Sequence, residues 1–182
     1  MTTKPEISAS GRYARQTMLP GIGLEGQERL RAARVLIVGL GGLGAPVATY
    51  LAGAGVGHIM LCDPDTVSLS NLQRQTLYAE ADLGKPKTEC ALRRLKALNS
   101  EISLSAVSEG ITPENAARLV ADCDMVVDCT DNFATRYLID DTCAAAGRPW
   151  VYGAIGEFCG QVAVMNPVSY THLRAHETGR NL

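Results

Sequence analysis

Apolar and polar positions along the chain follow two spacings, which predict strands separated by helices. Short apolar runs, typical of buried strands, occupy residues 34–39, 58–63, 102–107, 125–129, 150–155 and 161–165. Between them, apolar residues recur every three or four positions and predict helices over 24–33, 43–54, 86–99, 113–121 and 132–146. This alternation predicts an α/β fold with a doubly wound, Rossmann-like, mostly parallel sheet and helices on both faces.

Proline, glycine and threonine mark the predicted element boundaries. Pro86 and Pro113 suit the first turn of a helix, and Thr112 is a suitable N-cap for the second of these helices. Gly55 is expected to end the helix that follows the first strand. Gly156 lies between the last two strands and predicts a hairpin there.

The first predicted strand runs into a Gly-x-Gly-x-x-Gly loop over residues 39–44. Glycine lets the backbone turn sharply and approach a ligand closely, and the free N–H groups at the start of the next helix face an anion. The loop therefore predicts a nucleotide phosphate site. By itself it does not distinguish NAD from ATP.

Charged residues are expected around the carboxyl ends of the predicted strands, where α/β sheets bind ligands. Asp63 ends the second strand 24 positions after Gly39, close to where an acid meets a nucleotide ribose. Arg74 and Lys87 lie between the second and third strands, and Asp131 follows the fourth. Cations and an acid together fit a triphosphate with its magnesium ion, whereas a dehydrogenase would need only the glycines and Asp63.

Composition and charge bear on the possible binding partners and on the cellular compartment of the protein. The net charge of −2 over 182 residues does not indicate a nucleic-acid surface, and no apolar stretch is suited to crossing a bilayer or serving as a signal peptide. The six cysteines include no Cys-x-x-Cys pair. Free thiols in a reducing cytoplasm are therefore expected rather than disulfides or a zinc site.

Five motifs occur in the order and spacing of one known family. They cover residues 12–16, 39–44, 68–75, 84–87 and 128–132. Together they resemble the MoeB/ThiF branch of the ubiquitin-activating-enzyme superfamily. The resemblance implies a homodimeric adenylyltransferase that uses ATP and Mg²⁺. Its substrate would be the C-terminal glycine carboxylate of a ubiquitin-like sulfur carrier in molybdopterin, thiamin or tRNA thiolation, and pyrophosphate would be released.

The resemblance also implies roles for individual residues. The expected catalytic residues are Arg15, supplied across the dimer, with Arg74, Lys87 and Asp131, of which Asp131 would hold magnesium. The expected nucleotide-binding residues are Gly39, Gly41, Gly42, Gly44, Asp63, Asn71, Arg74, Gln75 and Lys87. Lys85 is expected to be a bystander.

Plainer interpretations of the same residues remain open. Arg74 and Lys87 could be solvated surface charges, and Asp63 could merely cap a strand end. Asp131 could serve as the N-cap of the next helix. For Arg15 the alternative is a surface ion pair with Glu25 or Glu28.

Three segments are predicted: a helical segment with the arginine motif at 1–33, the ATP-binding domain at 34–167, and a tail without family counterpart at 168–182. Family members continue beyond the second segment with Cys-x-x-Cys zinc ligands, which are absent here. A truncated chain with little turnover is therefore expected. The alternative functions are an NAD(P)-binding oxidoreductase domain and an inactive nucleotide- or carrier-binding fragment.

Overall fold

The computed structural model describes residues 11–166, so the predicted tail lies outside the described residues. Within this range the chain forms a six-stranded sheet. Its strands are β1 (Arg34–Val38), β2 (His58–Cys62), β3 (Ser103–Val107), β4 (Met125–Asp128), β5 (Trp150–Gly156) and β6 (Cys159–Met165). They lie in the order β3-β2-β1-β4-β5-β6. The first five strands run parallel and β6 pairs antiparallel with β5, so the mostly parallel sheet and the final hairpin are confirmed.

Successive side chains of β1 point to opposite faces of the sheet and are apolar on both, so helices cover both faces. Ile37 packs in the cluster beneath α3 and α4, while Leu36 packs in the cluster beneath α5 and α6. The helices are α1 (Ala14–Thr17), α2 (Gly23–Ala32), α3 (Gly44–Ala54), α4 (Lys87–Leu98), α5 (Ala116–Ala121) and α6 (Phe133–Ala146). No helix within residues 11–166 combines the length and the apolar character needed to span a membrane.

The predicted start of α5 is wrong. Residues 113–115 form a turn, and the helix begins only at Ala116. The backbone N–H of Thr112 donates to Asn115 Oδ1, and the Thr112 carbonyl accepts from the N–H groups of Asn115 and Ala116. Thr112 therefore lies in the turn before the helix, and the residue at the N-cap position is Asn115 instead of Thr112. The other predicted elements begin and end within two residues of their observed bounds.

The N-terminal helix α1 is held against the end of α3 that is remote from the glycine loop. Asn99 Nδ2 donates to Tyr13 Oη at 2.8 Å and to the carbonyl of Ala52 at 2.8 Å. Gln16 Nε2 donates to the carbonyl of Ala54 at 2.7 Å. These bonds turn Tyr13 and Gln16 inward, while Arg15 between them is exposed.

Candidate nucleotide-binding site

The ends of three strands meet at Gly39, which explains why the loop begins with glycine. The N–H of Gly39 donates to the carbonyl of Cys62 at the end of β2, and the N–H of Cys129 donates to Val38 at the end of β1. Gly39 has a φ of +89°, and a Cβ there would lie 2.8 Å from the carbonyl oxygen of Cys129. A side chain would therefore push β1 away from β4.

A cleft of about 1120 Å³ opens beyond the carboxyl ends of β1 and β4, where the strand order reverses. This is the position at which doubly wound sheets bind ligands. The cleft is lined by nine of the predicted site residues: Gly39, Gly41, Gly42, Asp63, Asn71, Arg74, Gln75, Lys87 and Asp131. Gly44 begins α3 directly against the backbone of Gly39.

Asp63 stabilises the glycine loop through a hydrogen bond to its backbone. Its Oδ2 accepts from the N–H of Leu40 at 2.6 Å, and its Oδ1 accepts from the N–H of Asp65 at 2.8 Å. The residue is buried yet lines the cleft. Asp63 thus already supports the loop, and its predicted contact with a ribose stays a prediction.

Lys87 is a buried cation at the start of α4, only 4% exposed. Its Nζ lies 2.8 Å from Asp65 Oδ2 and 4.0 Å from Asp63 Oδ1. Burial of a charge is costly unless a counter-charge offsets it, and these two carboxylates supply one. Asp65 was missed by the sequence reasoning, although it follows the strand-end Asp63 by two positions.

Arg74 and Gln75 face the glycine loop from a turn held by Asn71, whose carbonyl accepts from both of their N–H groups. Arg74 is exposed and its Nη1 donates to the carbonyl of Ser70 at 3.1 Å. A Cβ added at Gly42 would lie 3.6 Å from the Arg74 side chain.

Gln75 places a buried side-chain oxygen, Oε1, in the lining of the cleft. Its side chain is buried, lines the cleft, and its Oε1 has no hydrogen-bond partner among the described residues. A buried polar atom without a partner is costly. A ligand with a hydrogen-bond donor would satisfy Gln75 Oε1.

Asp131 follows β4 and is exposed at the rim of the cleft. The neighbouring residue Asn132, and not Asp131, caps α6, because Asn132 Oδ1 accepts from the N–H of Thr135 at 2.9 Å. The interpretation of Asp131 as the N-cap is therefore wrong.

Arg15 and Lys85 lie outside the cleft. Glu25 pairs with Arg29, and Glu28 pairs with Arg31, so the alternative ion pairs for Arg15 are not formed. The Nζ of Lys85, which is exposed, donates to the carbonyl of Ala81. Of the two neighbouring lysines, only Lys87 lines the cleft.

A buried ion pair beside Asp131 was also missed by the sequence reasoning. Asp128, fully buried at the end of β4, lies 3.3 Å through Oδ2 from Nε of Arg136, which is 6% exposed. Burial raises the pKa of the Asp128 carboxyl, while hydrogen bonds from Thr130 and the charge of Arg136 lower it. One signal was available: Arg136 shares its helix face with the buried Ile139 and Cys143, and a charge on such a face needs a buried partner.

The six cysteines are free thiols, as expected. Five are buried, and Cys159 is exposed and lines the cleft. Burial raises the pKa of Cys62 and of Cys129 to about 12, so these thiols stay protonated and inert.

Comparison with solved structures finds the same fold in a protein whose structure was determined with ATP. The chain is 34% identical to MccB of Escherichia coli in a structure with ATP, at a TM-score of 0.71, over 80% of this chain and 44% of that one. A structure of PaaA matches with a TM-score of 0.78 and 26% identity, over 90% of this chain and 53% of that one.

Curated relatives match the sequence more strongly. The chain is 49% identical over 164 residues to a sulfur carrier protein adenylyltransferase of Thermus thermophilus, covering 90% of this chain and 59% of that protein. It is 47% identical over 156 residues to the sulfur carrier protein ThiS adenylyltransferase of Escherichia coli, covering 86% and 62%. The chain thus spans about three-fifths of the length of these relatives. The ThiF family profile matches residues 13–180, and this chain belongs to the ThiF family.

Proposed function

We propose that this chain is the ATP-binding part of an enzyme that adenylylates the C-terminal glycine carboxylate of a ubiquitin-like sulfur carrier protein. The observation that carries the proposal is the cleft, where Arg74, Lys87 and Asp131 surround a glycine loop. Two sulfur carrier protein adenylyltransferases, to which the chain is 49% and 47% identical, support the same reaction.

In the proposed reaction a carboxylate oxygen of the carrier attacks the α-phosphorus of ATP. The bond from that phosphorus to the bridging oxygen of the β-phosphate breaks, and pyrophosphate leaves with the electron pair. The products are an acyl-adenylate and pyrophosphate. Negative charge gathers between the two phosphates, so fixed cations stabilise the transition state more than the ground state.

Lys87 and Arg74 are suited to this task in different ways. Lys87 is buried and held 2.8 Å from Asp65, so its charge is already positioned before ATP arrives. Arg74 is exposed beside Gly42 and brings a planar donor set that matches phosphate oxygens. On the nucleoside side, Asp63 would meet the ribose, while Asn71 and Gln75 would supply further hydrogen bonds.

Magnesium would be held by Asp131 together with the phosphates. No cluster of three or more potential metal-ligating His, Cys, Asp or Glu side chains occurs within residues 11–166. This fits Mg²⁺, which usually binds through one or two carboxylates plus substrate phosphates instead of a protein cage. The ion would offset phosphate charge and fix the α-phosphate for in-line attack.

Arg15 would act in a homodimer. It lies on α1, which is fastened at the end of α3 remote from the cleft, so it does not line the cleft of its own chain. A second copy would have to present it. A cytoplasmic setting would keep the six thiols reduced.

A thermal melt separates ATP from NAD. Mg·ATP is expected to raise the melting temperature, because a ligand that binds only the folded state stabilises it by mass action. Stabilisation by NADH and not by Mg·ATP would support the alternative, an NAD(P)-binding oxidoreductase domain.

Exchange of labelled pyrophosphate into ATP tests the reaction itself. In a full-length chain that carries these motifs, exchange is expected with a ubiquitin-like carrier ending in glycine and not with the same carrier lacking that residue. Arg74→Ala is expected to lower the rate by about 10²-fold. Lys85→Ala is the matched control and is expected to change little. ATP binding without any exchange would favour the inactive-fragment alternative, and equal small effects at both positions would remove Arg74 from the catalytic set.

A further inference from the structure

The guanidinium of Arg136 joins three elements at the cleft. Arg136 lies on α6, and its Nη2 donates to the carbonyl of Thr130, after β4, and to the carbonyl of Gly153 on β5 at 3.0 Å. Its Nη1 donates to Tyr152 Oη at 3.1 Å, and its Nε lies beside Asp128. The side chain therefore fixes where β4, β5 and α6 stand relative to one another.

Thr130 is held at both of its backbone polar groups. Its N–H donates to Asp128 Oδ1 at 2.9 Å, and its hydroxyl donates to the same oxygen at 2.6 Å. Its carbonyl accepts from Arg136. That carbonyl belongs to the peptide group joining Thr130 to Asp131, so the bond from Arg136 sets the plane from which Asp131 emerges.

The other side of Asp131 is also fixed, because Asn132 caps α6. Asp131 thus lies between two anchored residues, although its own side chain is exposed. A ligand carboxylate held in this way loses less freedom when it binds a cation.

We propose that Arg136 is a positioning residue that orients the Thr130–Asp131 peptide so that the Asp131 carboxylate meets the magnesium ion of bound ATP; this rests on the proposed function. Arg136 is buried, and both of its terminal nitrogens already donate to protein oxygens. The Arg136 guanidinium therefore holds protein groups in place, whereas Arg74 is proposed to bind the phosphates.

The substitution Arg136→Lys separates the positioning role of Arg136 from its positive charge. Arg136→Lys keeps a positive charge near Asp128, but an ammonium cannot reproduce the planar fork that spans Thr130, Tyr152 and Gly153. The measurement is the dissociation constant of ATP by calorimetry, once with excess Mg²⁺ and once in EDTA. The ratio of the two constants reports the contribution of magnesium.

Magnesium is expected to tighten ATP binding by the native chain, and Asp131→Asn should abolish most of this gain. Arg136→Lys is expected to reduce the gain by about tenfold, as loss of a residue supporting a metal ligand commonly does, with little change in EDTA. The double variant should match Asp131→Asn alone, because Arg136 acts through Asp131. Arg93→Lys, which alters an aspartate-paired arginine outside the cleft, is the matched control and should behave as the native chain.

The outcomes are distinguishable. No magnesium effect in the native chain would overturn the proposed function and this inference with it. A magnesium effect that Asp131→Asn removes and Arg136→Lys leaves intact would overturn the inference alone, as would an equal loss of affinity with and without magnesium. If Arg136→Lys does not fold, the paired variant Asp128→Asn/Arg136→Met, which removes both buried charges together, carries the same test.

Discussion

Replacing Gly44 by alanine is expected to destabilise the fold at the start of α3. An added Cβ would overlap the carbonyl oxygen of Gly39 and lie 2.8 Å from its carbonyl carbon, well inside the 3.4 Å at which ordinary contacts begin. The obstacle is backbone: this carbonyl shares a peptide group with the Leu40 N–H, which donates to Asp63 Oδ2 at 2.6 Å, so it cannot rotate away. Overpacking of this kind costs about 3 kcal/mol.

Part of that cost is offset, because alanine restricts the unfolded chain and favours a helix by about 0.5–1 kcal/mol over glycine. The net loss of folding free energy is therefore about 2 kcal/mol. For a chain of this size, the melting temperature should fall by about 4–8 °C. Circular dichroism during heating measures it directly.

Gly42→Ala is the control from the same loop. Its Cβ would lie 3.6 Å from Arg74, an ordinary contact with a flexible side chain, so its melting temperature should match the native one or exceed it. Because Gly42 lines the cleft, the same methyl group should weaken Mg·ATP binding. A Gly44→Ala variant that melts with the native chain, or a Gly42→Ala variant that melts as low as Gly44→Ala, would refute this reasoning.

Three further outcomes are expected from single features. Asn132→Ala should cost about 1 kcal/mol of folding free energy through the lost cap, while Asp131→Ala should cost little; equal melting temperatures would contradict the assignment of the cap. Tyr13→Phe should cost about 1 kcal/mol in denaturant unfolding, because Asn99 Nδ2 loses one of its two acceptors, and an unchanged midpoint would show that this bond contributes nothing. Iodoacetamide should add one group to the folded chain, at Cys159, since the other five thiols are buried. Burial also raises the pKa of Cys62, Cys129 and Cys143 to about 12. A second adduct in the intact-mass spectrum would argue against that burial.

The parts of the fold that follow from local patterns could be predicted from the sequence. Apolar runs gave the strands, and the glycine spacing gave the loop between β1 and α3 with its bounds nearly correct. The turn at Thr112 could not be predicted in this way, because the Asn115 side chain offers the Thr112 N–H a local hydrogen bond in place of a regular helix start. Local competition of this kind is decided by small differences in free energy.

The candidate site shows the same division. Arg74, Lys87 and Asp131 were expected around one cleft because they lie in the segments that follow β2 and β4, and all three line it. It did not show that Asp63 supports the loop through Leu40, because that bond joins residues from two different strand ends. The contacts of Arg136 depend likewise on how β4, β5 and α6 come together, which only the packed structure determines.

The sheet order has a consequence for the sequence of folding events. Strands β1, β2 and β3 come from one continuous stretch of chain and β4, β5 and β6 from a later one, and the two triplets join only where β1 pairs with β4. That pairing closes the longest loop in the sheet, so it carries the largest entropic cost and is expected to form late. The cleft lies across this seam, and a nucleotide bound there would slow the separation of the two halves. In native-state hydrogen exchange, the amides of β1 and β4 should therefore gain more protection from ATP than those of the β5–β6 hairpin.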